Sequence, residues 1–130
     1  LVRIDAAAAH GMTPLMQAAR AARLDLVDEL IDLGADLEAR NSDGNTALWL
    51  ACFGGDAAVV QRLIAAGARL DNQNDTGATA LMYCASSGRD GLVELLLGAG
   101  ADACLQTQDD FRAVDLAATA GSLRLLRHTA

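Results

Sequence analysis

Two histidines, three cysteines and a serine pair are the residues of this chain best equipped for proton transfer, nucleophilic attack or metal binding. His10 and His128 are the side chains whose unperturbed pKa suits general acid–base work near neutral pH, but they stand at opposite ends of the sequence. Ser86 and Ser87 neighbour Cys84 without a His to activate them. Gly54-Gly55 lacks the Gly-Lys-Ser/Thr continuation that a phosphate loop requires. Cys52, Cys84 and Cys104 fall in no metal-ligand spacing, and neither does any cluster of His, Cys and carboxylates. The chemistry-bearing residues therefore argue against an enzyme, a metal site or a cofactor, and function must be sought in a binding surface.

The elements that would carry such a surface are set by a 33-residue period. Gly11, Gly44 and Gly77 keep this step, as do Gly34, Gly67 and Gly100, and again Gly55, Gly88 and Gly121. Thr13-Pro14-Leu15 recurs as Thr46-Ala47-Leu48 and Thr79-Ala80-Leu81, while Gly34-Ala35-Asp36 recurs as Gly67-Ala68-Arg69 and Gly100-Ala101-Asp102. A single supersecondary unit of this size cannot bury its apolar face alone, so successive copies must stack. Three such steps separate the two histidines, roughly 30 Å at 8 to 10 Å per helix layer, so they cannot cooperate within one chain.

Within residues 41 to 73 the physics of one copy is readable. Asn41-Ser42-Asp43-Gly44 is a turn cluster, and Thr46 is placed to cap a short helix over 46–53. Gly54-Gly55 ends it. A second helix is predicted from about Ala57 to Ala66, with Val59, Val60, Leu63 and Ile64 as its apolar stripe and Gly67 as its left-handed terminator. In the first copy Pro14 falls at the first helical position, where its missing N–H costs nothing.

With Thr13-Pro14-Leu15-Met16-Gln17-Ala18, Thr46-Ala47-Leu48-Trp49-Leu50-Ala51 and Thr79-Ala80-Leu81-Met82-Tyr83-Cys84, the chain resembles the ankyrin-repeat proteins, whose signature is of the Thr-Pro-Leu-His-x-Ala type. The signature's His is absent from every copy, including the degenerate fourth, Arg112-Ala113-Val114-Asp115-Leu116-Ala117. The resemblance implies an all-α solenoid of stacked helix-turn-helix repeats joined by β-turn hairpin loops. It forms a single domain over 1–130: the tail of a preceding repeat at 1–7, full repeats at 8–40, 41–73 and 74–106, and a partial C-terminal capping repeat at 107–130. The start falls mid-repeat, with Ile4 and Asp5 aligning to Leu37 and Glu38, so either further repeats lie upstream or the alanines at 6–9 end the stack. At the other end Leu123, Leu125 and Leu126 keep an apolar stripe. Thr129 and Ala130 replace the Leu30-Ile31 of an earlier helix, as suits a cap, and Arg124, Arg127 and His128 complement the helix dipole.

Composition bounds the partners. Hydrophobic residues make up 52% and aromatics only 3%, so Ala, Leu, Val and Ile must fill closely packed helix contacts. A net charge of −7 repels phosphate backbones, which excludes nucleic acid as the expected partner. No apolar run approaches the roughly 20 residues of a membrane span and no signal segment is visible, although a leader upstream of Leu1 stays open. Three cysteines without a framework read as free thiols in a reducing, cytoplasmic setting, with a periplasmic or secreted one as the alternative; Cys52 and Cys84 take slots that hold Ala elsewhere and read as buried filler. All ten basic residues are Arg, the composition of a GC-rich, bacterial genome.

The resemblance further implies that hairpin tips and first helices line a concave groove that grips a partner protein. The four aromatics and three methionines all fall in or beside first helices. Met16, Trp49 and Met82 share one slot, read either as an apolar strip or, by preference, as core; Tyr83 shares a slot with Leu50 and Leu116 and reads as core. Phe53 differs, because its slot holds Arg20, Ser86 and Thr119 elsewhere, which predicts exposure beside Trp49. The partner-binding set is therefore Arg40, Ser42, Asp43 and Asn45 at one tip, Asp75 and Thr76 at the next, Gln108 and Asp109 at the third, and Trp49, Phe53, Ser86 and Phe111 on or beside first helices. Asp25, Asp28, Glu29 and Asp32 avoid the Leu26, Val27, Leu30, Ile31 stripe and read as a solvated face. The alternative to partner binding is a structural segment of a larger chain, or one that pairs with a second copy through an open N-terminal face.

Overall fold

The computed structural model describes residues 4–127. Three helix pairs follow in order: α1 (Pro14–Arg20) with α2 (Leu24–Asp32), α3 (Ala47–Gly54) with α4 (Ala57–Ala65), and α5 (Ala80–Ser86) with α6 (Asp90–Gly98). A last helix, α7 (Ala120–Arg127), and 3₁₀ turns at Ala9–Gly11 and Ala113–Leu116 complete the described residues, which contain no strand. The roles expected of His128, Thr129 and Ala130 lie outside the described residues. The chain divides into two compact units, Leu1–Arg69 carrying α1 to α4 and Leu70–Ala130 carrying α5 to α7.

Each first helix starts at a threonine, but the caps differ. Thr13 accepts from Met16 N at 3.2 Å and returns its own N–H to the Met16 sulfur at 3.5 Å. Thr79 and Met82 repeat the pair at 3.2 and 3.4 Å. The signature's His position thus holds a thioether that serves as a weak acceptor. Thr46, expected to cap α3, sits at the N-cap without a side-chain capping bond. The third residue of its helix is Trp49, whose indole only donates and cannot reciprocate.

Helix ends follow the glycine register. After α4, Gly67 turns left-handed at φ 96°. Its N–H reaches Ile64 O and that of Ala68 reaches Leu63 O, which closes the helix in a Schellman motif. After α1 the same pattern forms, with Ala22 N on Ala19 O and Arg23 N on Ala18 O, but the left-handed residue is Ala22 at φ 57° where later repeats supply Gly55 and Gly88. A Cβ in this region costs about 1 to 2 kcal/mol. Ala22→Gly should therefore raise the melting temperature, by a net of about 0.5 to 1 kcal/mol after the added freedom of the unfolded chain. A lowered melt would show that the Ala22 methyl contributes packing. The fourth member of that register, Gly121, departs from it and lies inside α7.

The cores are aliphatic. In the first unit Leu15, Val27, Leu48, Val59, Val60 and Leu63 are at most 1% exposed, and α1 packs most extensively on α3. In the second unit Leu81, Val93 and Leu96 play this part, and Cys52 and Cys84 are fully buried filler in their respective units. Two expectations for α2 need correction. Leu26 of its apolar stripe is 37% exposed. Asp28 and Asp32 are more than a solvated face, because they hold Arg62 of α4 at 2.8 and 3.3 Å. In α6, Gly91 and Gly98 have open space where a Cβ would stand and no left-handed φ. Replacing both with Ala should raise the melting temperature by the helix propensity gained, about 0.5 to 1 kcal/mol at Gly91 and less at Gly98, which ends the helix.

Carboxylates at the register positions 5, 38 and 71 tie consecutive loops together. Asp5 accepts from Asp36 N at 3.0 Å and Glu38 from Arg69 N at 3.1 Å in the first unit, and Asp71 accepts from Asp102 N at 2.8 Å in the second. The fourth copy departs from the other three. Arg112 holds the slot of the capping threonines and offers no hydroxyl, and only a 3₁₀ turn forms there. A side-chain brace runs from Arg112 N to Asp115 Oδ2 at 2.9 Å.

α7 is held instead by Asp90, which accepts from Ser122 Oγ at 2.5 Å and Thr119 Oγ1 at 2.6 Å. Those two bonds, Ser122 first, lower the Asp90 pKa against a smaller opposing effect of burial, with Arg124 helping. Because the folded pKa lies below the unfolded value of about 3.9, this stabilisation is complete above that pH and is lost as pH falls through the folded pKa. Acid titration followed by α-helical signal should show α7 loosening there, and Asp90→Asn should flatten that limb. An unchanged limb would assign it to other carboxylates.

Candidate partner-binding surface

The tip at 40–45 is built by one asparagine. Asn41 Oδ1 accepts from both Asp43 N and Asn45 N at 3.0 Å, and its main chain pairs with Asn45 O and Gly44 N. Asn74 does the same for Thr76 N and Ala78 N, and Thr107 substitutes its hydroxyl for Asp109 N and Phe111 N. Asp110 takes the glycine slot of that last turn with φ 66°. Neighbouring tips are laced by main-chain bonds, Ser42 N to His10 O at 2.9 Å in the first unit and Gln108 N to Thr76 O at 3.0 Å in the second.

On the first unit these braces leave a cleft of about 330 Å³ among the 3₁₀ turn, the tip, α1 and α3. His10, Met12, Arg20, Asn45, Trp49 and Phe53 line it. Phe53 is 46% exposed, as its polar slot predicted, and the Arg20 guanidinium lies over its ring at 5.5 Å. A second cleft of about 490 Å³ adjoins along α1, sharing His10, Met12 and Arg20 and adding Gln17 and Ala21. Of the expected residues in this unit, Arg40, Ser42 and Asp43 are exposed and Trp49 is half-buried. Asn45 is 7% exposed, so it contributes to the cleft wall more than to an open surface.

In the second unit Asp75, Thr76, Gln108, Asp109 and Phe111 are exposed, Phe111 to 47%. Two expected contact groups already have internal partners: Gln108 Nε2 donates to Asp75 O at 2.6 Å, and Ser86 Oγ to Tyr83 O at 3.0 Å. Gln73 is tied down likewise, on Gly77 O and Gln106 O. Met16 and Met82 are 1% and 2% exposed, so the shared slot is core in both, as preferred. Tyr83, expected in the core, is half-buried with Arg89 over its ring at 6.0 Å.

Sequence reasoning missed Arg20, Met12 and Gln17 as cleft residues and considered His10 only as a base. The available signal was register: Arg20 and Phe53 hold the same slot in consecutive copies, so one is placed to stack on the other. Among the described residues no three His, Cys, Asp or Glu side chains converge as a metal site. No helix among them is long and apolar enough to cross a membrane.

No curated protein matches the chain. The family model for ankyrin repeats (3 copies) matches residues 15–109, through all three helix pairs and into the third tip. Ankyrin repeats generally act as protein–protein interaction modules and are typically not enzymes. With its 33-residue register realised as helix pairs between braced turns, this chain belongs to the ankyrin-repeat family.

Proposed function

We propose that the chain binds a partner protein through the tips and first helices of repeats 8–40, 41–73 and 74–106 and through the tip of a partial repeat at 107–130. The observation that carries this reading is Phe53, a large ring 46% exposed in a slot that is polar elsewhere, opening on a cleft walled by Trp49. Aromatic and Arg side chains in desolvated pockets dominate interface energies, and Arg20 on the Phe53 ring provides both. Arg40, Ser42 and Asp43 form the polar rim in the first unit. Asp75, Thr76, Asp109 and Phe111 offer the corresponding surface of the second. A reducing, cytoplasmic setting belongs to the same reading and accords with the free thiols of Cys52, Cys84 and Cys104. Photo-crosslinking side chains placed singly at Phe53, Phe111 and, as control, Gln61 of α4 test it. Crosslinks of one protein to the first two positions support the reading, and a partner captured only at Gln61 overturns it.

A further inference from the structure

We propose that the partner segment filling the cleft of the first unit carries a single Asp or Glu beside a large apolar side chain, its carboxylate pairing with Arg20. This rests on the partner-binding reading and names the chemistry of the partner. Among the described residues the Arg20 guanidinium forms no ion pair and no hydrogen bond. Its contact is the Phe53 ring, at 5.5 Å. Such a contact takes up no N–H donor, so a fork of five donors matched to a carboxylate stays available. Arg62, by comparison, is already held by Asp28 and Asp32 at 2.8 and 3.3 Å.

The surroundings of Arg20 suit an acid with an apolar neighbour. Arg20 ends α1 and Phe53 stands in the last turn of α3, and both border the cleft of about 330 Å³. Half-buried Met12 and Trp49 add apolar wall, and exposed His10 adds a ring N–H. The volume lies at the small end of ligand-sized clefts, about 300 to 1,000 Å³, so it takes one or two side chains of a segment. Apolar walls keep water from a charge pair formed among them, which makes the pair stronger than one on an open surface.

Charge sets the sign and the number. Asp43 is the one carboxylate among the described residues that line this cleft, and it is exposed on the tip before α3, at the opposite end of that helix from Phe53. The Arg20 end is therefore without an acid of its own. A basic side chain entering beside Phe53 would meet Arg20 with like charge. A run of acids is disfavoured as well, because the chain carries a net charge of −7. The occupant that meets both conditions brings one carboxylate for Arg20 and one apolar side chain for Trp49 and Phe53.

Selection of a random peptide library, displayed on phage, against the whole chain tests the idea, with Phe53→Ala as the counter-screen. Enriched peptides should share an Asp or Glu beside Leu, Ile, Phe or Trp, and should bind Arg20→Glu at least tenfold more weakly. Exchanging the peptide's acid for Lys should restore binding to Arg20→Glu. That recovery, with circular dichroism of the variant, separates lost pairing from lost folding. Phe53-dependent peptides that carry no acid, or an exchange that fails to restore binding to the folded variant, overturn the inference and leave the partner-binding reading standing. A library that yields no Phe53-dependent peptide overturns the inference too, and crosslinking at Phe53 then decides the broader reading separately.

Discussion

Gly54→Ala should destabilise the first unit by about 1 to 3 kcal/mol, the range for forcing one extra methyl group into a packed contact. The added Cβ would stand 2.7 Å from Arg20 O and 2.9 Å from Ala19 O, both main-chain atoms at the end of α1. Backbone cannot swing aside as a long side chain can, so α1 and α3 must separate where they pack most extensively. In a unit of this size each kcal/mol lowers the melting temperature by about 4 to 8 °C, which a thermal melt resolves easily. The same chemical change has the opposite expected sign at Gly91, where the Cβ meets nothing. An unchanged melt for Gly54→Ala would mean that the α1–α3 contact slides apart without cost.

Phe53→Ala should weaken partner binding by about 2 kcal/mol, the scale of a hot-spot truncation, or roughly thirtyfold in Kd. Its effect on folding should stay below about 1 kcal/mol. The ring is 46% exposed, and its contact with Arg20 is worth about 0.5 to 1 kcal/mol at an exposed site. A core Phe would instead cost about 3 to 5 kcal/mol of stability. Calorimetry of the variant gives the stability, and titration against the crosslinked partner gives the affinity. Unchanged affinity would remove Phe53 from the interface.

What could be read in advance was what repeats locally. Gly67 ends α4 as expected because a terminator depends on a few neighbouring residues. Phe53 was legible as exposed because three aligned copies show the polarity of its slot. The failures share another cause, since they depend on what another copy presents. Leu26 fits a helical stripe, yet a stripe tells which side of a helix is apolar and not whether a neighbour covers it. Arg62 and its two aspartates are 30 and 34 positions apart, and no periodicity within one helix could pair them. The cleft was half legible, with Trp49 and Phe53 foreseen on α3, while its other wall came from the 3₁₀ turn at Ala9–Gly11 and from Arg20.

The thioethers that close the α1 and α5 caps give the molecule two chemical clocks. Met16 and Met82 are 1% and 2% exposed, one in each compact unit. Peroxide converts a thioether to a sulfoxide only when it can reach the sulfur, so each residue waits for its own unit to open. Half-buried Met12 is oxidised without that wait and calibrates the reagent. The ratio of the two slow oxidation rates, read by mass spectrometry on a single sample, compares the opening of the two halves of the chain without a label or a mutation.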